Sequence, residues 1–78
     1  MSTAADLIAA LDAETARAAG APTALLSVTL DVVGEGQPAQ TRVAIVRATK
    51  SLVFSEAEAL TADGARLIAA SAVHKIAR

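Results

Sequence analysis

The sequence predicts an α+β fold: one N-terminal helix packed on a four-stranded antiparallel sheet. Three observations lead there. Residues 3–19 carry apolar side chains at helical spacing, and everything after them alternates with a period of two. Each alternating run is bounded by Gly, Pro or a turn dipeptide, so the chain reads as a single domain of helix then strands at about 3–19, 23–33, 40–49, 51–60 and 65–76.

The helix is the clearest element. Leu7, Ile8, Leu11, Thr15 and Ala18 follow the i, i+3/i+4 pattern of one face. Thr3 and Asp6 have the spacing of a capping box, and Ser2 is equally suited to be the N-cap. Asp6 suits the positive end of the helix dipole, Arg17 suits the last turn, and Gly20 is a natural residue just past the end. Pro22 then prevents continuation.

In the first strand Leu26, Val28, Leu30 and Val32 alternate with Ser27, Thr29 and Asp31, until Gly34, Gly36 and Pro38 break the run. The second strand is apolar at four successive positions, Val43, Ala44, Ile45 and Val46, which predicts cover on both faces. Lys50-Ser51 is a short turn. The last two strands are joined around Asp63-Gly64, the strongest hairpin signal in the chain. Their stripe is unusual, because Ser55, Ala57, Ala59, Ala70 and Ala72 are all small. Such a stripe lets an Ala-rich helix settle close to the sheet, or leaves space for a slender ligand. Sequence alone does not separate the two.

Composition narrows the function classes. The hydrophobic fraction is 54%, but 21 of those 42 residues are Ala, so the core draws on few large side chains. With 78 residues and no Cys to form disulfides, a homo-oligomer is expected. Seven Lys+Arg against eight Asp+Glu leave no electrostatic footprint for nucleic acid, and one Phe gives no base-stacking platform. No apolar run approaches membrane-spanning length and no signal peptide is evident, so the cytoplasm is the default compartment and no membrane partner is expected.

The order of the pieces resembles the hotdog-fold thioesterases that act on phenylacetyl- and other acyl-CoAs. The matching segments are Val46-Arg47, Glu56-Ala57-Glu58, Asp63-Gly64 and Leu67-Ile68-Ala69-Ala70-Ser71-Ala72, and "LIAALDAETARAAGA" is similar to the central hotdog helix. The resemblance covers about residues 5 to 76. It implies a homodimer in which the strand after the helix, Leu25 to Val33, pairs with its mate across a two-fold axis. It also implies that Gly34 to Ala39 cross to the far edge of the sheet, with a simple meander as the alternative. Family members carry a strand and a His/Asn-plus-Gly-Gly segment before the helix, whose glycine amide polarises the thioester carbonyl. Here Ser2-Thr3-Ala4-Ala5 stand in that place, so the resemblance is to a shortened hotdog. Another subunit supplying the strand is a further possibility.

The same resemblance makes Asp12 the catalytic candidate, since it lies nearest the family's helix carboxylate, a general base or nucleophile on an acyl thioester. The plainer reading is a solvated helix residue. Glu14 is turned about 200° from Asp12 around the helix and reads as a surface charge beside Arg17. Thr15 is a candidate to bond a ligand oxygen, although a hydroxyl returning to a backbone carbonyl is commoner. Ala57, Ala59, Ala70 and Ala72 are the candidate walls of an acyl site. Glu56 and Glu58 read as a solvated sheet face with Arg42, Arg47 or Lys75 as partners, and His74 reads as a rim residue near the C-terminal end. No metal site or cofactor is expected: His74 is the one imidazole, with no third ligand in register. The serines lack a G-x-S-x-G context and Gly34-Glu35-Gly36 lacks the rest of a phosphate loop. Arg42, Arg47, Lys50, Arg66, Lys75 and Arg78 are scattered, though a few gathered at a dimer edge would suit a CoA phosphate. The functional expectation is a protein that hydrolyses or binds an acyl thioester, and the rival is a reduced hotdog serving as a binding or assembly module.

Overall fold

A computed structural model describes residues 3–77, and Ser2, the alternative N-cap candidate, lies outside them. Helix α1 spans Thr3–Ala19, followed by strands β1 (Thr23–Val32), β2 (Gln40–Ala48), β3 (Leu52–Leu60) and β4 (Arg66–Ile76). This is the expected α+β arrangement. Asp6 occupies the first turn of α1 and Arg17 the last. At the C-terminal end Gly20 adopts φ +66° and its amide donates to the carbonyl of Ala16 at 3.0 Å. Only a residue without Cβ takes that left-handed conformation at no steric cost.

The sheet is antiparallel throughout, in the order β1-β4-β3-β2. Residues 33–39 therefore cross to the far edge, as the hotdog resemblance implies, and the meander is excluded. The crossing is anchored over the start of β4, where the amides of Val33 and Gly34 both donate to the carbonyl of Leu67. The approach is close: a Cβ on Gly34 would lie 2.6 Å from the carbonyl oxygen of Arg66, so glycine is required there. The β2–β3 turn is tied by Thr49, whose amide donates to the carbonyl of Leu52 and whose Oγ1 accepts from the Leu52 amide. Between β3 and β4, Thr61 Oγ1 accepts from the Ala65 amide and the Gly64 amide donates to the Thr61 carbonyl.

Both edge strands carry a β-bulge, and the bulges correct two expectations. On β1, Leu25 pairs with His74 and Ser27 with Val73, so Leu26 is an extra residue outside the strict alternation. On β2, Ile45 pairs with Ser55 and Arg47 with Phe54, so Val46 is the extra one. The apolar run Val43–Val46 thus reflects a bulge on an edge strand and not burial on both faces. Ile45 and Val46 are exposed.

Helix α1 packs on one face of the sheet and touches all four strands. Leu7 and Leu11 form the core with Ala57, Ala59, Ala70 and Ala72, with Val28, Leu30, Val43 and Ile68 packed around them. The helix-distal face carries Phe54, Glu56 and Glu58 on β3, with Arg42 and Ala44 opposite the two glutamates on β2.

Candidate functional site

Asp12 lies in the middle of α1, beside the buried Leu11, with its side chain 52% exposed. It is not merely solvated, because its Oδ1 lies 2.6 Å from Nε2 of His74 on β4, 62 residues away. A carboxylate only accepts, so Nε2 is the donor and the bond fixes the imidazole tautomer. His74 corrects the expectation of a rim residue: it is 0% exposed. Its partners in the sheet are Val53 on β3 and Leu25 on β1. The signal was present in the last strand, where His74 shares its parity with Ile68, Ala70, Ala72 and Ile76, all on the helix side.

The bond leaves Asp12 Oδ2 as the oxygen available to a substrate or a water. It also leaves three buried polar atoms without partners among the described residues: His74 Nδ1, Thr15 Oγ1 and Ser55 Oγ. All belong to side chains in the layer between helix and sheet. Thr15 follows Leu11 by one helical turn and is fully buried, so its hydroxyl neither meets solvent nor returns to a carbonyl of its own helix. Buried polar atoms without partners are rare and costly, and they concentrate at functional places.

The small-residue stripe is occupied by the helix. Ala57, Ala59, Ala70 and Ala72 are each 6% exposed or less and pack against Leu7 and Leu11. The concave surface lies on the other side of the sheet. A groove of about 570 Å³ there is lined by charged side chains, among them Asp31, Arg42, Glu56, Glu58 and Arg66. Within it Glu58 takes Arg66 at 2.9 Å and Arg42 at 3.5 Å. Arg42 is an expected partner and Arg66 is not, since only the β3–β4 register shows its proximity. Glu14 pairs with Arg17 at 2.5 Å on the exposed side of α1, as expected, and the guanidinium bonding it holds its carboxyl below the usual range. Among the described residues no group of three His, Cys, Asp or Glu side chains is placed to hold a metal. No described helix is long and apolar enough to cross a membrane.

Solved structures with the same backbone arrangement exist. The BH2602 protein of Bacillus halodurans, crystallised with CoA, superposes with a TM-score of 0.81 at 16% identity, covering 91% of this chain and 50% of its own. A protein of the thioesterase superfamily superposes with a TM-score of 0.77 at 21% identity, covering 88% of this chain and 54% of its own. The chain shares their hotdog fold. Its hotdog sheet and helix span about half the length of the structures they match. No protein-family model matches the sequence, and no curated protein matches it.

Proposed function

We propose that this hotdog chain acts on an acyl thioester of CoA, with Asp12 as the general base. The observation that carries the reading is the Asp12–His74 bond, which holds a half-exposed carboxylate on the hotdog helix with one oxygen free. A base must be positioned within hydrogen-bond reach of the proton it takes. In this reading Oδ2 removes a proton from a water whose oxygen adds to the thioester carbonyl. The C–S bond then breaks and the CoA thiolate leaves, to be reprotonated. The presence of CoA in a structure of the same fold supports the choice of ligand.

The acyl chain would lie at a dimer interface. Strand β1 is a sheet edge, with Leu25, Leu26, Val32 and Val33 exposed on or just beyond it. An exposed apolar edge invites pairing with a second copy. His74 is one strand in from that edge, opposite Leu25, so a partner pairing along Leu25–Val33 comes close to Asp12. In this arrangement Thr15 and the alanines at 57, 59, 70 and 72 form the floor behind the carboxylate. Replacing Leu26 and Val32 by Lys is expected to shift the sedimentation coefficient from dimer to monomer.

One observation favours the rival, a hotdog that binds or assembles without turnover. The alanine stripe is filled by Leu7 and Leu11. Thiol release from short, long and aryl acyl-CoAs, run beside Asp12→Ala, separates the readings. Turnover lost in the variant supports the base. Turnover unchanged in the variant removes Asp12, and no turnover from a folded dimer leaves the binding module.

A further inference from the structure

We infer that His74 is a positioning residue for Asp12, acting from the buried side of the sheet to select which carboxylate oxygen meets the substrate. This rests on the thioesterase reading of Asp12. Three features of the structure support it. First, the bond is short, 2.6 Å, and joins a fully buried imidazole to a half-exposed carboxylate, so the imidazole is the fixed member and the carboxylate the guided one. His74 is clamped between neighbours on both sides, Leu25 on β1 and Val53 on β3, and the helix lies above it. Second, an aspartate on a bare helix surface has several rotamers, and a substrate-poised geometry is only one of them. A donor at Oδ1 restricts that choice and leaves Oδ2 as the oxygen outside the bond. Third, the imidazole does not complete its own hydrogen bonding: Nδ1 is buried and without a partner. A histidine retained for packing alone carries that polar atom at a cost which an aliphatic side chain would avoid.

Nε2 carries the hydrogen that Asp12 accepts, which leaves Nδ1 as the ring nitrogen without a partner. Thr15 and Ser55 supply the other two buried and unpartnered polar atoms of the layer, and both are hydroxyls able to donate. The bonding state of His74 thus has a spectroscopic signature independent of turnover.

Two measurements on the intact protein test the inference. The first is the ¹⁵N spectrum of His74 in the wild type and in Asp12→Asn. The expected result is a hydrogen on Nε2 in the wild type, with its shift displaced when the acceptor changes. A ring with no hydrogen on Nε2, or indifferent to Asp12, overturns the inference. The second is the kinetics of His74→Leu and His74→Gln on the acyl-CoA that turns over best. His74→Leu removes the donor and is expected to lower kcat and kcat/KM together by about 10²-fold. His74→Gln places an amide N–H near the position of Nε2 and is expected to recover most of that loss. Equal loss in both variants, each folded by circular dichroism, marks a packing role and overturns the inference. Unchanged turnover in His74→Leu overturns it too, while the reading of Asp12 as base stands. Absence of turnover in the wild type overturns the thioesterase reading and the positioning role with it, and an intact ¹⁵N signature would then mark the bond as structural.

Discussion

Along β3, Val53, Ser55, Ala57 and Ala59 point at the helix and are buried, whereas Phe54, Glu56 and Glu58 point away and are half-buried or exposed. On β4 the contrast continues: Ala70, Ala72, His74 and Ile76 lie under α1, and Ala69, Ser71, Val73 and Lys75 lie on the open side. The two faces come from alternate residues of the same two strands, the central pair of the sheet. Yet one face is packed by helix side chains onto alanine and the other presents a charged groove. The difference shows where this small chain places its constraint. Small side chains bring the helix close to the sheet, and close packing leaves no room for added volume. On the open face water fills whatever the side chains do not.

The largest expected effect comes from the packed face. Leu11 is fully buried at the centre of the core, and Leu11→Ala should destabilise the fold by about 2–5 kcal/mol in urea unfolding. Ala57→Leu adds volume where Leu7 and Leu11 already sit, and should cost about 1–3 kcal/mol. The exposed neighbour tests the contrast: Glu56→Leu should change stability by less than about 0.5 kcal/mol. Equal effects at 56 and 57 would mean that the two faces are not distinct in packing.

A change of opposite sign sharpens the comparison. Ser55→Ala and Thr15→Val each remove a buried hydroxyl that has no partner, and each should raise the unfolding free energy by about 1 kcal/mol. Destabilisation instead would show that these hydroxyls are bonded in solution. On the open face, Glu58→Gln breaks the pairs with Arg42 and Arg66, whose side chains are 65% and 58% exposed, and should cost no more than about 1 kcal/mol. Added salt should shrink that cost further.

The smallest effect concerns pH. The Thr61 hydroxyl bonds the Asp63 carboxylate in the β3–β4 turn and holds its carboxyl below the usual range. A depressed folded pKa means the contribution is present at neutral pH and lost as pH falls through the folded value. Melting temperature followed across the acid range should therefore fall slightly less steeply for Asp63→Asn than for the wild type. A steeper fall in the variant would reverse the sign of this linkage.

Much of the fold could be read from local pattern, for reasons that are themselves local. The helix follows from the spacing of Leu7, Leu11 and Thr15, and its end from Gly20. The strands follow from alternation, and the last hairpin from Asp63-Gly64 between two alternating runs. The bulges at Leu26 and Val46 were not legible, because an extra residue shows only against the register of a neighbouring strand. At the candidate site, Asp12 could be singled out through the resemblance of its helix, while His74 was misplaced. The parity of Ile68, Ala70, Ala72 and Ile76 pointed to burial, but an imidazole near a chain end also suits the surface.

By itself, then, the sequence determined which segments are helix and strand, that the sheet is antiparallel, and which alternate residues could share a face. Those properties depend on spacing within a segment. The tertiary structure decided the strand order, the close approach at Gly34, the identity of the covered face and the bond between Asp12 and His74. Each of these joins residues far apart in the chain, and the side chain at one end acquires its environment only when the other end packs against it. A carboxylate on a solvated helix and a carboxylate steered by a buried imidazole are the same residue in the sequence. The 62 residues between Asp12 and His74 have to fold before they differ.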